Sequence, residues 1–235
     1  LQKELRHALE RGELALHYQP KYGAHSGEVV GAEALLRWQH PHHGAISPAS
    51  FLPLAEKTRL IIPIGNWVLD EACRQMSRWR EAGHHDWSVA VNLSTIQLAS
   101  PGLLQEVEGA LRRHRLEARH LTLEITESTA MENAEESLAI LNRLAELGLG
   151  ISIDDFGTGY SSLLYLKRFP ANELKIDRGF VATLTHEGDD ATIIAAIIAL
   201  GQALGMRIVA EGVETPEQRA LLTELFSDPA YTRCL

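Results

Sequence analysis

Residues 150–167 read GISIDDFGTGYSSLLYLK. This stretch is the most informative about the fold, and the rest of the chain is interpreted from it. Ile151 and Ile153 alternate with small or polar residues, which predicts a short strand ending in a glycine-rich turn. Side chains alternate across a strand, so Asp154 and Asp155 are expected to diverge. Adjacent buried carboxylates are costly to desolvate without cations or donors, which favours a bound metal. The alternative is that the pair caps the following helix.

Short apolar strands and amphipathic helices alternate along the second part of the chain. The predicted strands are 88–94, 121–128, 150–155, 173–177 and 207–214, and the predicted helices include 101–115, 132–148 and 189–205. This alternation is typical of βαβ units with a mostly parallel sheet. It favours a (β/α) barrel over a doubly wound open sheet, because the chain has no GxGxxG or GxxxxGK phosphate loop.

The beginning of the chain has a different pattern. Residues 1–12 are predicted to form a lead-in helix that ends at Gly12. The runs ALHYQP (15–20) and VVGAEALLRW (29–38) follow and are separated by a short turn. Neighbouring strands with such a connection predict an antiparallel pair.

Polar residues of one parity end the predicted strands. These residues are Asn92, Glu124, Asp154 and Glu211. Four further polar residues lie on or beside predicted strands: Glu33, Asp155, Lys175 and Asp177. Active sites of barrels lie at the C-terminal ends of the strands. The pattern therefore predicts that these side chains converge on one mouth of the barrel.

The predicted cluster offers carboxylate and amide oxygens and contains no histidine or cysteine, a ligand set that suits Mg²⁺ or Mn²⁺ better than zinc. Two such ions about 3.5–4 Å apart commonly promote in-line attack on phosphorus. Lys175 is a candidate for orienting the attacking water, and the alternative is a lysine kept buried by ion pairs. The residues alone therefore predict metal-dependent phosphoester hydrolysis.

Composition limits the remaining function classes. The chain has 235 residues, 45% apolar content, a formal charge of −9 and two cysteines, Cys73 and Cys234. This charge argues against binding a nucleic-acid polymer or an anionic membrane through a broad basic surface. A single domain in a reducing, cytoplasmic compartment is expected, with no membrane contact of its own. The chain begins with Leu1, so we expect it to be part of a longer protein.

Three histidines, His40, His42 and His43, invite a second metal hypothesis. Their spacing matches no tetrahedral zinc pattern, and they lie among proline and glycine. A solvated loop is the preferred interpretation of this segment.

Several ordered motifs resemble those of the EAL domain family of bacterial cyclic di-GMP phosphodiesterases. They are YQP (18–20), EALLRW (33–38), ISPASFLPLAE (46–56), VNLS (91–94), LEITES (123–128), DDFGTGYSSL (154–163), LKID (174–177) and AEGVET (210–215). The resemblance covers residues 12 to about 222. It implies a modified TIM-type (β/α)8 barrel with an antiparallel first strand, and hydrolysis of cyclic di-GMP to linear pGpG.

The resemblance also implies roles for individual residues. The first metal would be bound by Glu33, Asn92, Glu124 and Asp154, and the second by Asp154, Asp155 and Glu211. Lys175 would contact the catalytic water, and Glu211 would act as base or position that water. Substrate contacts would come from Gln19, Leu36, Arg37, Pro48, Asp177 and Glu214. Glu127 would brace the loop 156–162, which sets the position of Asp155 and joins a homodimer surface.

The C-terminal tail, residues 226–235, departs from the family pattern. It reads FSDPAYTRCL and lacks the Gln-Gly-Tyr motif of the final strand. The final strand is therefore expected to be missing or altered, which would leave an exposed edge beside the first strand. A truncated chain, a frameshifted end and a swap from a partner subunit are the explanations that remain open.

Three function classes follow from this interpretation. The complete set of acids with Lys175 favours an active phosphodiesterase. The altered tail leaves a catalytically weak cyclic di-GMP receptor as an alternative, and a protein-interaction module without ligand is the third class. An upstream sensory or cyclase domain is expected in the full-length protein. This domain itself is expected in the cytoplasm, with the cytoplasmic part of a membrane-anchored protein as one possibility.

Overall fold

The computed structural model describes residues 1–158, 163–184, 189–226 and 232–234. Within this part of the chain nine strands form one sheet. They are β1 (Leu14–Gly23), β2 (Val29–His40), β3 (Gly44–Ile46), β4 (Ser88–Asn92), β5 (Leu121–Thr126), β6 (Gly150–Phe156), β7 (Glu173–Ile176), β8 (Arg207–Ala210) and β9 (Thr232–Cys234).

The sheet closes on itself as a barrel. Its order is β1-β9-β8-β7-β6-β5-β4-β2-β3, and β1 also pairs with β2. Strand β1 is antiparallel to both of its neighbours, and β2, β4, β5, β6, β7, β8 and β9 run parallel to one another. The predicted barrel with an antiparallel first strand is confirmed.

The altered C-terminal tail still supplies a final strand. Strand β9 pairs in parallel with β8 and antiparallel with β1, where Cys234 lies opposite Ala210 and Tyr22. The expected exposed edge beside β1 is therefore wrong. Backbone pairing requires no particular side-chain motif, so three residues between two strands satisfy groups that an open edge would leave unpaired.

Eleven α-helices are present among the described residues. They are α1 (Gln2–Ala8), α2 (Pro48–Lys57), α3 (Ile61–Glu81), α4 (Thr95–Leu98), α5 (Leu103–Arg113), α6 (Glu127–Glu132), α7 (Ala134–Glu146), α8 (Leu163–Arg168), α9 (Arg178–Ala182), α10 (Asp189–Ala203) and α11 (Pro216–Leu225), with a 3-10 helix at Ala118–His120. None of them combines the length and apolarity needed to cross a bilayer.

The lead-in helix is shorter than the predicted range 1–12. It ends at Ala8, whose carbonyl accepts a hydrogen bond from the N–H of Glu13 at 2.9 Å. Gly12 has a φ of +66°, a conformation that ends a right-handed helix. The turn brings the chain directly into β1.

The hydrophobic core lies between the outer face of the barrel and the helices. Large aliphatic side chains of one parity, such as Val91, Leu123 and Ile151, are fully buried in it. The opposite parity faces the barrel interior and includes the buried charged residues Glu124 and Lys175. Strand alternation therefore separates an apolar shell, which stabilises the fold, from a charged interior that ends at the mouth.

Candidate active site

Four carboxylates surround one ammonium group at the mouth of the barrel. Lys175 Nζ lies 3.1 Å from Glu33 Oε2, 2.7 Å from Glu124 Oε2, 3.0 Å from Asp154 Oδ2 and 2.6 Å from Glu211 Oε1. These residues lie on or directly after β2, β5, β6, β7 and β8. The predicted convergence of strand-end acids is therefore present in the structure.

The backbone at Asp155 changes which way its side chain points. Asp155 has a φ of +54°, and the pairing of β6 with β7 shifts register between Ile153 and Phe156. One carboxylate oxygen each of Asp154, Asp155 and Glu211 lies within 4.8 Å of the others. The expected divergence of the two aspartates is wrong, because this irregularity breaks the strand alternation and brings both acids to one site.

Local hydrogen bonds hold the end of β6 in this conformation. The N–H of Asp155 donates to Asp154 Oδ1 at 2.7 Å, and the Thr158 hydroxyl donates to the Asp155 carbonyl at 2.8 Å. Buried Glu127 accepts a hydrogen bond from the N–H of Gly157 at 3.0 Å. Glu127 thus holds the start of the loop 156–162, whose residues 159–162 lie outside the described part of the chain.

Asn92 orients the carboxylate of Glu33 from the neighbouring strand. Its Nδ2 donates to Glu33 Oε1 at 2.7 Å, while Oε2 of the same carboxylate faces Lys175. Glu33 is buried and Asn92 is exposed at the mouth. The two residues join the cluster through β2 and β4, as the sequence pattern predicts.

Burial changes the protonation of the acids at the mouth. Desolvation raises the pKa of Glu33, Asp154 and Asp155 above their ordinary values, and neighbouring carboxylates add to this effect. Burial also raises the pKa of Glu211 to about 7, although the ammonium of Lys175 opposes it. A carboxyl group with a pKa near neutrality is suited to accept and release protons at physiological pH.

The deepest acid of the cluster has the opposite shift. Burial alone would raise the pKa of Glu124, but the ammonium groups of Lys21 and Lys175 outweigh it, and the pKa is lowered. The carboxylates around Lys175 likewise raise its pKa well above the ordinary value despite its burial. Glu124 and Lys175 are therefore an ionised pair in the barrel interior.

Lys21 and Glu173 belong to the charged interior and were not identified as candidates from sequence. Lys21 Nζ lies 2.9 Å from Glu124 Oε1 and 2.8 Å from Glu173 Oε1, and all three residues are buried. Strand alternation could have identified both residues, because Lys21 shares a strand face with Gln19 and Glu173 shares one with Lys175. The register that brings these strands together is a tertiary property.

Three of the residues that the family resemblance assigns to the substrate line one cavity beside the acid cluster. Leu36, Arg37 and Pro48 border a cavity of about 450 Å³ that also reaches Asn92. Its other walls include apolar residues of α2 and α3, such as Leu52, Ile61, Ile64 and Val68. The cavity therefore combines an apolar floor with a guanidinium group and lies next to the acids.

Two more of the residues that the family resemblance assigns to the substrate, Gln19 and Asp177, lie around the mouth. Gln19 is exposed and lies opposite Glu33 in the pairing of β1 with β2. Asp177 caps α9 by accepting a hydrogen bond from the N–H of Gly179 at 2.8 Å. Its negative charge adds to burial and to Asp154 in raising the pKa of Asp155.

Glu214 lies apart from the Arg37 cavity. It is exposed in the wall of a second cavity of about 810 Å³, together with Tyr22 and Arg219. Glu214 therefore lies beside an opening between α11 and the β1–β2 turn, and not beside the cavity that Arg37 borders.

The histidine segment is not entirely a solvated loop. His40 is buried at the end of β2, and with Glu4 and His43 it forms a second group whose atoms lie within 4.8 Å of one another. Its Nδ1 accepts the N–H groups of His42 and His43, while Nε2 lies 3.3 Å from Glu4 Oε1. Because Nδ1 accepts, Nε2 carries the proton toward Glu4, and this arrangement disfavours a metal ion on Nε2.

Comparison with known proteins identifies similar sequences. The EAL domain family model matches residues 2–228. MucR of Pseudomonas aeruginosa, a bifunctional diguanylate cyclase/cyclic di-GMP phosphodiesterase, is 64% identical over 94% of this chain and 32% of its own length. NbdA of the same organism, a cyclic di-GMP phosphodiesterase, is 46% identical over 95% of this chain and 29% of its own length. The chain thus spans about a third of these relatives.

Solved structures of EAL proteins and of a cyclic di-GMP phosphodiesterase are similar to this chain. The phosphodiesterase PaMucR, in complex with c-di-GMP, superimposes with a TM-score of 0.93 and 61% identity, covering 99% of this chain and 92% of that one. The EAL enzyme Bd1971 in its cGMP-bound form gives a TM-score of 0.90 at 32% identity, covering 99% and 64% of the two chains. From the family match, the relatives and the barrel geometry, the chain belongs to the EAL domain family.

Proposed function

We propose that this domain hydrolyses cyclic di-GMP to linear pGpG with the help of two divalent cations, Mg²⁺ or Mn²⁺. The observation that carries the proposal is the convergence of Glu33, Glu124, Asp154, Asp155 and Glu211 at the mouth of a barrel. Relatives named as cyclic di-GMP phosphodiesterases support the choice of substrate.

The donor set fits hard cations. The proposed ligands are Glu33, Asn92, Glu124, Asp154, Asp155 and Glu211, which offer only oxygen atoms when Asn92 binds through its amide oxygen. Burial first, and neighbouring carboxylates second, raise the pKa values of Glu33, Asp154 and Glu211, so several acids at the mouth are costly to keep ionised without a cation. Divalent cations would lower this cost, and when bound they would activate water and neutralise phosphate oxygens.

The chain's own side chains bind and orient the substrate in this proposal. Arg37 meets a phosphate group through charge-assisted hydrogen bonds, and one guanine base occupies the cavity of about 450 Å³ that Leu36 and Pro48 border. The apolar walls of the cavity exclude water around the base. Gln19 and Asp177 are proposed as further substrate contacts at the rim, and Glu214 as a contact from the wall of the separate cavity between α11 and the β1–β2 turn.

Proton transfer is assigned to two residues that touch each other. Glu211 accepts the proton of the attacking water, as a carboxylate at the mouth beside Lys175 is placed to do. Lys175, 2.6 Å from Glu211, orients that water and stabilises charge on the phosphate. Glu127 contributes indirectly, because its hydrogen bond to Gly157 maintains the backbone that presents Asp155.

The test is hydrolysis of cyclic di-GMP by this domain in Mg²⁺, in Mn²⁺ and in excess EDTA. Formation of pGpG in either metal is expected, with loss of product in EDTA and in Asp154→Asn. Asp86→Asn is the matched control, because this aspartate is almost fully exposed and lies at the opposite end of β4. Tight cyclic di-GMP binding without turnover would contradict the proposal and identify a receptor. Failure to bind any nucleotide would point to an interaction module.

We further propose that the domain acts as a homodimer within a longer cytoplasmic protein that carries a sensory or cyclase domain. Leu163 and Leu164 at the start of α8 are 59% and 68% exposed, an adjacent apolar pair that a second copy would cover. The bifunctional name of MucR supports an accompanying cyclase domain. Sedimentation of the unmodified domain and of Leu164→Glu tests the dimer, and a monomer in both would contradict it.

A further inference from the structure

We propose that Lys21 positions Glu124 as a metal ligand, an inference that rests on the proposed function. Lys21 lies on the antiparallel strand β1, below the acids at the mouth, and is not among the residues assigned to metal or substrate. Its ammonium group touches the deepest of the proposed ligands, at 2.9 Å from Glu124 Oε1.

The two oxygens of Glu124 have separate partners. Oε1 accepts from Lys21, and Oε2 accepts from Lys175 at 2.7 Å and faces the mouth. Glu124 is fully buried, so water is not available to replace a lost partner. The contact with Lys21 therefore sets which oxygen of Glu124 faces the site where Glu33 and Asp154 converge.

Lys21 is itself held in place from below. Its Nζ lies 2.8 Å from Glu173 Oε1, and Glu173 Oε2 lies 3.8 Å from Arg207 Nε. Charges thus alternate along the barrel interior from Arg207 through Glu173, Lys21 and Glu124 to Lys175. A lysine with an acid on each side has little freedom to leave Glu124, which is the property expected of a residue that orients a ligand.

The size of the effect follows from other metal sites. Removing an outer partner of a metal ligand typically weakens metal affinity or activity by about 10- to 100-fold. We expect a loss of this size in Lys21→Met, which removes the ammonium group and retains a long apolar side chain. The variant changes no residue proposed to touch metal, substrate or the attacking water.

A purely structural role makes a different prediction. If Lys21 served only to neutralise buried acids, its loss would lower stability, and removing the surplus negative charge would restore both stability and metal affinity. Glu173→Gln provides the matched comparison, because Glu173 contacts Lys21 and is not one of the proposed metal ligands. The double variant Lys21→Met/Glu173→Gln removes one positive and one negative charge from a contacting pair.

The experiment measures Mn²⁺ affinity from the electron paramagnetic resonance signal of free Mn²⁺. Thermal unfolding in EDTA measures the stability of each variant without metal. We expect Mn²⁺ affinity to fall about 10- to 100-fold in Lys21→Met and in the double variant, and to stay near that of the unmodified domain in Glu173→Gln. Should Lys21→Met fail to fold, the charge-balanced double variant decides the question.

Wild-type affinity in the folded Lys21→Met variant, or recovery of affinity in the double variant, would overturn the inference. The unmodified domain separates this result from failure of the proposed function. If it binds no Mn²⁺, the two-metal proposal fails and the role of Lys21 falls with it. If it binds Mn²⁺ and Lys21→Met binds equally well, only the role of Lys21 is refuted.

Discussion

Replacing Glu211 with glutamine is expected to stabilise the metal-free domain at neutral and higher pH, and to leave its stability near pH 4.5 unchanged. Burial raises the pKa of Glu211 from the ordinary value of 4.5 to about 7. The carboxylate is therefore tolerated poorly in the folded state when no cation is bound. Glutamine removes the charge and retains an amide that can still accept a hydrogen bond from Lys175.

The sign of the pH dependence follows from proton binding. Between pH 4.5 and about 7 the folded state keeps a proton on Glu211 that the unfolded chain has released. Stability consequently falls as pH rises through this window and levels off above it. Since each pKa unit corresponds to about 1.4 kcal/mol, the difference between 4.5 and about 7 amounts to about 3 kcal/mol at pH 8.

Urea denaturation in EDTA, followed by tryptophan fluorescence between pH 4.5 and 8, measures this effect. The free energy of unfolding of Glu211→Gln should exceed that of the unmodified domain by about 3 kcal/mol at pH 8 and by little at pH 4.5. Glu214→Gln is the control, because this exposed glutamate is only three positions away. Parallel pH profiles for Glu211→Gln and the unmodified domain would refute the reasoning.

Three further changes test the core, the loop and the cavity. Phe51→Ala should lower the free energy of unfolding by about 3–5 kcal/mol in urea titrations, because this side chain is fully buried. Gly157→Ala, where φ is +96° and an added Cβ would lie 3.1 Å from Phe180, should lower kcat, whereas Gly205→Ala at a φ of +70° should cost only stability. Arg37→Ala should raise KM for cyclic di-GMP about 10- to 100-fold in steady-state assays with little change in kcat, because a hydrogen bond to a charged group contributes about 1.5–3 kcal/mol. Equal kcat values for Gly157→Ala and Gly205→Ala would contradict the expectation for the loop, and an unchanged KM for Arg37→Ala would contradict the expectation for the cavity.

Parity along the strands was sufficient to identify most of the acid cluster. Asn92, Glu124, Asp154 and Glu211 each end the inward-facing row of residues of their strand, and parallel strands bring such ends to one edge. The same rule failed at Asp155, because a positive φ and a shifted register turn its side chain toward Asp154. A rule of regular alternation has no means of locating such an irregularity.

The tail illustrates a different limit of sequence reasoning. Its missing motif indicated an open edge, yet Thr232–Cys234 pairs with both neighbouring strands. Motifs report side chains, whereas strand pairing depends on backbone groups that every residue except proline supplies in full. The absence of the motif was therefore a poor guide to closure of the barrel.

The sequence by itself determined the barrel class, the family and the identity of most candidate site residues, because periodicity and motif spacing are local properties of the chain. Tertiary structure alone decided the convergence of Asp154 with Asp155 and the contacts of Lys21. Lys21 meets Glu124 and Glu173 across 103 and 152 positions of sequence. Such pairings depend on strand register and barrel closure, which arise only when the whole sheet is assembled.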